Sequence, residues 1–290
     1  MRTLIALSLL CAALTPELAA ATVAEQVARG EAALERGDLD AAAKAFEAAI
    51  TLDPKNAKLH YTLGTVYGSQ AQKANVLKMA SLGKKAKSEL DRAVELDPDY
   101  IPARFALLEF YLAAPGFLGG SPEKASAQAV EIGKRDALEG HRAMARIYSR
   151  QKKTDLARKE YVDAVREQPK SAKAHYFLGV FLMTDKNWTG SLHEFEMALE
   201  LDPAFMPTLF RLGQHAARSG TNYARGEESL RRYLAYKPGD EEPGHANAWY
   251  WLGQLQEKQG KKAEAKASYG NALKLAPTSE DVKTALKRVS

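Results

Sequence analysis

Cysteine is nearly missing from this chain: Cys11 is the only one in 290 residues, and it lies inside the first 21. Once that segment is removed, as its layout predicts, no thiol remains for a disulfide, for covalent catalysis or for a cysteine-based metal site. Long apolar runs are missing too, beyond residue 14. The opening, "MRTLIALSLLCAALTPELAAA", has Arg2 in front, an apolar run from Leu4 to Leu14, then Pro16 and Ala19-Ala20-Ala21. That is the layout of a secretory signal peptide over residues 1–21, cleaved after Ala21. The run falls short of the roughly 20 apolar residues of a membrane helix. Leu9 and Leu10 stand where lipidation of Cys11 would want small residues. The expected location is therefore periplasmic or otherwise exported, with no transmembrane span in the mature chain. Blocks of one charge are also lacking: 41 basic and 36 acidic residues give +5, and the signs are interspersed. No nucleic-acid partner is expected. A 46% hydrophobic and 27% charged composition suits a folded chain rather than a disordered one.

What is present in quantity is self-similarity. "LG" recurs at Leu63-Gly64, Leu178-Gly179, Leu212-Gly213 and Leu252-Gly253. Gly179 and Gly213 are 34 residues apart, and Ala145 stands another 34 before Gly179. Downstream comes one phrase: a small residue, an aromatic four later, Ala three after that, then Pro. It reads Ala42, Phe46, Ala49, Pro54 in the first unit, Ala157, Tyr161, Ala164, Pro169 in the fourth, and Ala265, Tyr269, Ala272, Pro277 in the last. Each unit is predicted to be two antiparallel helices. Gly or Ala at position 8 and Ala at position 20 let the backbones approach, the aromatic at 24 fills the space between them, and Ala at 27 admits the next unit. Pro at 32 stops the second helix.

This phrase and period resemble the tetratricopeptide repeat (TPR). The resemblance implies an all-α, right-handed α-solenoid of about seven helix-turn-helix repeats, near residues 23–56, 57–100, 101–137, 138–171, 172–205, 206–245 and 246–278. Residues 279–290 read as a capping helix, with Ser279 as N-cap and an apolar face of Val282, Leu286 and Val289. Three insertions depart from the pattern. About ten extra residues between Tyr67 and Ala86 and about five around Pro115–Ala125 are expected to project between first and second helices, along one edge. "KPGDEEPGHAN" before the last unit is expected to be a longer loop. In the third unit Leu108 replaces the small residue at position 8.

Little points to chemistry. "PGFLGGS" lacks the Gly-Lys-Ser/Thr ending and the preceding strand of a phosphate-binding loop, and reads as a turn. Its Phe117 and Leu118 are candidate loop contacts, since an exposed apolar tip often meets a partner. His60, His141 and His175 share position 4, where core packing is a better reading than metal ligation. With no nucleophile–base pairing, an enzyme is not expected, and neither is a metal or cofactor.

The TPR resemblance implies that positions 2, 5, 9, 12 and 13 of each first helix line a concave groove. In "HANAWYWLGQLQ", Trp249 would then be core, Tyr250 groove-facing, and Trp251 on the groove-side edge. Position 5 reads Val27, Tyr61, Phe105, Arg142, Tyr176, Phe210 and Tyr250. Arg142, Arg146 and Arg150, four apart, share one helical face, and Glu139 and Glu109 are placed to offset part of their repulsion. The lysine–asparagine pair with which some TPR domains grip chaperone tails is absent. The expected function is an exported scaffold or adaptor binding a partner protein or extended peptide in the groove. The alternative is a carrier of an anionic amphiphile or lipid, with its head at the arginines.

Overall fold

The structure, a computed structural model, describes residues 16–290 except 240 and 241, with side chains from Thr22 onward. The leader expected over residues 1–21, with Cys11, lies outside the described residues as far as residue 15. Its last six positions begin a helix, so the first helix starts seven residues before the expected Val23. The elements are all helical among the described residues, and the chain divides into two units, Met1–Pro98 and Asp99–Ser290.

The first unit holds two hairpins, α1 (Pro16–Glu35) with α2 (Leu39–Leu52) and α3 (Ala57–Lys73) with α4 (Val76–Leu96). Asp38, Asn56 and Asn75 cap α2, α3 and α4, each accepting a bond from a first-turn backbone N–H. The small residue at position 8 has a direct cause. A Cβ on Gly30 would lie 2.6 Å from the Phe46 ring, and one on Gly64 would lie 2.8 Å from Leu90. Phe46, Leu63, Tyr67 and Ala86 form one buried core with Ala42 and Ala49. The ten extra residues do not make a loop. They lengthen α3 and α4, leaving only Ala74 and Asn75 between them, because "VLKMASLGKKAKSEL" is built of helix formers and contains no proline.

The second unit continues with α5 (Ile101–Ala113) and α6 (Pro122–Arg135), α7 (Ala137–Arg150) and α8 (Thr154–Glu167), α9 (Ala172–Thr184) and α10 (Trp188–Leu201). It ends with α11 (Met206–Ser219) and α12 (Tyr223–Leu234), α13 (His245–Lys258) and α14 (Lys262–Leu275), and the single helix α15 (Glu280–Val289). Here the Cβ-free contact recurs as Gly179 on Phe195 and Gly253 on Tyr269, with both rings fully buried. In the α5–α6 hairpin the bulk changes sides: Leu108 at position 8 is buried, and the aromatic position of α6 is the buried Ala129. The five extra residues of this hairpin do make a loop, with a 3-10 turn at Gly116–Leu118. A Cβ at Gly120 would run into the Ala114 carbonyl. Phe117 is 75% exposed on that turn, whereas Leu118 is half-buried. Ser279 caps α15, whose Val282, Ala285 and Val289 are buried.

Two recurrent features escaped the sequence reading. The position-4 histidines are each bonded to a glutamate of the following helix: His60 to Glu89 at 2.6 Å, His141 to Glu160 at 2.8 Å, and His175 to Glu194 at 2.6 Å. The other ring nitrogen of His60 and of His175 meets the carbonyl of Pro54 and of Pro169, the terminal proline of the preceding unit. The turn between helices also places one residue in the left-handed region, at Gly37, Lys152, Lys186, Gly220 and Gly260. All five stand at position 15 of their units.

Three outcomes follow from this packing. Ala164 is buried against Leu138 and Ala174, so Ala164→Phe is expected to destabilise by about 1–3 kcal/mol through overpacking; an unchanged melting curve would show the packing to be misassigned. Lys186 holds φ 59° with a side chain. Lys186→Gly is expected to add about 0.5–1 kcal/mol, relief of left-handed strain less the entropy glycine loses, read from the urea midpoint.

Burial pulls the His141 imidazole down, but its bonds to Glu160 and Glu167 outweigh this and leave its pKa above the usual histidine value. A raised folded pKa stabilises fully below the unfolded value of about 6.5 and less as pH climbs through the folded one. His141→Gln should therefore cost more stability at about pH 6 than at about pH 9 in urea titrations. Equal costs would mean that the ring is not held as imidazolium.

Candidate functional site

Stacking first helices side by side leaves their position-5 and position-6 side chains facing a common open space. In the second unit this is a concave channel of ≈ 1150 Å³. Its wall is built from α7, α9, α11 and α13 and closed by the start of α15. Four position-5 residues line it, Arg142, Tyr176, Phe210 and Tyr250, with Phe177, Arg211 and Trp251 from position 6. Position 2 adds Glu139, Lys173, Pro207 and Asn247, and position 9 adds Val180 and Gln214. The second helices contribute Tyr161 of α8.

Tyr161 has a local cause. Position 8 of its hairpin is Ala145 rather than glycine, and Tyr161 stays half-buried where Phe195 and Tyr269 are sealed. Burial raises the pKa of its phenol, with Arg142 and Arg146 pulling the other way.

Of the three aromatics of α13, Tyr250 and Trp251 line the channel and Trp249 does not. None is fully buried. Trp249 and Trp251 both pack on the core shared with α11 and α12. Tyr250 leans on the core around Tyr269, with its ring 5.5 Å from Trp251 and 6.0 Å from Tyr269. Its hydroxyl accepts from Gln254 at 3.2 Å. Tyr176 sits edge-on to Phe205 at 5.3 Å and beside Phe177 at 5.6 Å, and its hydroxyl accepts from Arg211 at 3.3 Å. Phe210 borders the channel but is 3% exposed and packs on Tyr233, so it serves as floor more than as contact.

The arginines do not form one open cationic row. Arg142 lies between two rings, 4.3 Å from the Phe105 centroid and 5.1 Å from Phe177, and it donates to Glu139 at 2.7 Å. Glu139, 4% exposed, also takes the Lys173 ammonium at 2.6 Å. Arg142 therefore bridges α5, α7 and α9, with the charge answered inside the protein. Arg146 makes a two-pronged bond to Glu109 of α5, and Arg150 reaches the same carboxylate at 3.4 Å. Neither Arg146 nor Arg150 lines the channel. Glu109 and Glu139 each take two cations, so they offset part of the repulsion among the arginines. Phe105 is covered by Arg142 rather than presented to the channel, and Phe117 and Leu118 lie away from its lining. Tyr61 belongs to the first unit, where it is half-buried on α3.

Among the described residues no cluster of three or more histidine, aspartate or glutamate side chains is arranged to hold a metal, and no helix is long and apolar enough to cross a membrane. Lys173, Phe177, Arg211, Gln214 and Asn247 line the channel but were not singled out from the sequence. Positions 2 and 9, already implied as groove-facing, would have found three of them.

Family models for the TPR repeat match residues 30–70, and models described as tetratricopeptide repeat match 142–204 and 246–279. No curated protein sequence matches the chain. Among solved structures, a tetratricopeptide repeat protein from Parabacteroides merdae is similar with TM-score 0.51 and 18% identity, over 93% of this chain and 99% of that one. IFIT1, solved with Gppp-AAAA, is similar with TM-score 0.55 and 19% identity, over 92% of this chain and 62% of that one. A chain of the APC/C hetero-tetramer Cut9–Hcn1 gives TM-score 0.52 and 12% identity, over 91% of this chain and 55% of that one. The chain thus spans less than two thirds of the length of the last two, and at these identities what is shared is the fold. With the repeat phrase, the helical hairpins and the family models agreeing on one repeat type, the chain belongs to the tetratricopeptide repeat proteins.

Proposed function

We propose that this chain is an exported, non-catalytic scaffold that holds an extended segment of a partner protein in the channel of its second unit. The observation that carries this reading is the composition of the channel wall. Half-buried rings (Tyr176, Phe177, Tyr250, Trp251) alternate with neutral hydrogen-bonding groups (Gln214, Asn247) and the Arg211 guanidinium. An extended peptide presents just those needs. Its alternate side chains want apolar hollows, and its backbone N–H and C=O groups want polar partners when water is displaced. Glu139 pairs with both Arg142 and Lys173, so each of these cations is held on the protein, with one positive charge left over between them.

An anionic amphiphile fits less well, because its head would have to displace Glu109 or Glu139 from the arginines they already bind. Assembly with a partner chain is the mode seen for Cut9 with Hcn1 in its own hetero-tetramer. Export rests on Arg2, the apolar run over residues 4–14 and the alanines before Thr22.

The test is site-specific. A photo-crosslinking amino acid at Gln214 is expected to capture a protein, while the same group at the exposed Val162 of α8, which does not line the channel, is expected not to. Asn247 is exposed on the channel wall, so Asn247→Trp adds bulk to the channel without entering the core. It is expected to weaken capture of that partner by roughly tenfold, about 1.4 kcal/mol, with an unchanged melting temperature. Equal crosslinking at both positions, or full affinity in Asn247→Trp, would place the binding elsewhere.

A further inference from the structure

The first unit carries a feature that its packing does not use. The hairpin α3–α4 turns at Ala74 and Asn75, and the first two helical residues after the cap are Val76 and Leu77. They are 70% and 85% exposed, and Leu77 is the most exposed large apolar side chain among the described residues. A tip of this kind needs only a capping residue and a helix start. Asn75 supplies the cap, while two branched hydrocarbons stand in water beside it.

The hairpin itself carries charge of one sign around its tip. From Pro54 to Ser88 the sequence contains no aspartate or glutamate and seven lysines. Lys73 ends α3, Lys78 lies in the first turn of α4, and Lys84 and Lys85 follow one to two turns later; all four are exposed. Lys87, by contrast, is tied to Asp91 at 2.5 Å. Lys73, Lys78 and Lys85 also border an open hollow of ≈ 590 Å³ beside the Gly37–Asp40 turn. Two carboxylates lie there as well, Asp38 capping α2 and Asp40 accepting from Gln70 at 2.7 Å, against the three lysines of the hollow.

We propose that the α3–α4 tip docks on an anionic lipid bilayer, with Val76 and Leu77 entering the interfacial layer and Lys73, Lys78, Lys84 and Lys85 contacting headgroup phosphates. Two projecting hydrocarbons ringed by long amphipathic cations match that boundary, where the apolar part enters and the ammonium groups stay at phosphate level. An acidic protein would answer the lysines but would also need a hollow shaped for the tip. The proposal is independent of the channel, and either can fail alone.

Leu77→Trp in the full chain reports insertion at the tip itself, read as the emission difference from the unsubstituted chain, with Val130→Trp on α6 as an exposed control. Vesicles containing phosphatidylglycerol are expected to shift the Leu77→Trp emission to the blue, and pure phosphatidylcholine vesicles and the control are not. Lys73→Glu with Lys78→Glu is expected to weaken vesicle binding roughly tenfold, as is raising salt from about 0.05 to 0.5 M. Leu77→Asp is expected to retain full helicity by circular dichroism and lose the tip's contribution to co-sedimentation. No shift on anionic vesicles, an equal shift on neutral ones, indifference to the lysine reversals, or protection of the tip only by an acidic protein would each overturn the proposal.

Discussion

Five of the seven hairpins among the described residues depend on one short contact, a backbone without a side chain pressed against a large apolar group on the partner helix. Gly30 meets Phe46, Gly64 meets Leu90, Gly179 meets Phe195, Gly213 meets Leu230 and Gly253 meets Tyr269, each at a distance that leaves no room for a Cβ. Removing the Cβ lets the helices come close enough for the ring to be sealed on both sides, where its dispersion contacts and buried area contribute most. The two exceptions are instructive. In α5–α6 the large and small partners are exchanged, Leu108 for glycine and Ala129 for the ring, so the filled volume moves sides instead of vanishing. In α7–α8 the small residue is Ala145, and Tyr161 stays half-buried and becomes part of the channel wall. A packing rule thus accounts for a lining residue.

Charge follows the same economy of partners. The channel wall and its flank hold Arg142, Arg146, Lys173 and Glu139, yet these answer one another or reach Glu109. Arg142 is fixed by two rings and a buried carboxylate, which makes it a strut across three first helices rather than a free hand. A nearly buried carboxylate such as Glu139 would be costly alone, and two cations within 3 Å explain why it can sit there. With each of these cations held on an internal carboxylate, what the channel mainly offers a ligand is ring surface, amides and the Arg211 guanidinium.

Much of this was legible beforehand, because the repeat phrase states packing demands directly: small at 8, small at 20, ring at 24, small at 27, proline at 32. The insertions were readable too, had their composition been weighed. "PGFLGGS" breaks helices with proline and glycine and does form a loop, whereas "VLKMASLGKKAK" prolongs them. The His–Glu pairs carry a spacing signal, 19 residues in both α7–α8 and α9–α10, but it is visible only once position 4 is known to face the second helix. The open arginine row failed for a different reason. One helix face predicts repulsion among its own charges, while the neighbouring helix that answers them is 37 residues earlier in sequence.

Position 5 shows how one repeat position can serve two masters. Phe210 is almost wholly inside, joined to Tyr233, and Arg142 is locked between Phe105 and Phe177; changing either would disturb the stacking on which neighbouring repeats rely. Tyr176 and Tyr250 share the position but keep a hydroxyl at the channel, each already bonded to a polar neighbour of the wall. The residues free to vary without touching the core are therefore those at positions 2 and 9, such as Asn247 and Gln214. Positions 5 and 24 set the channel's shape through packing, and positions 2 and 9 can set what it prefers. Specificity can thus change along this wall while the close contacts inside the hairpins stay fixed.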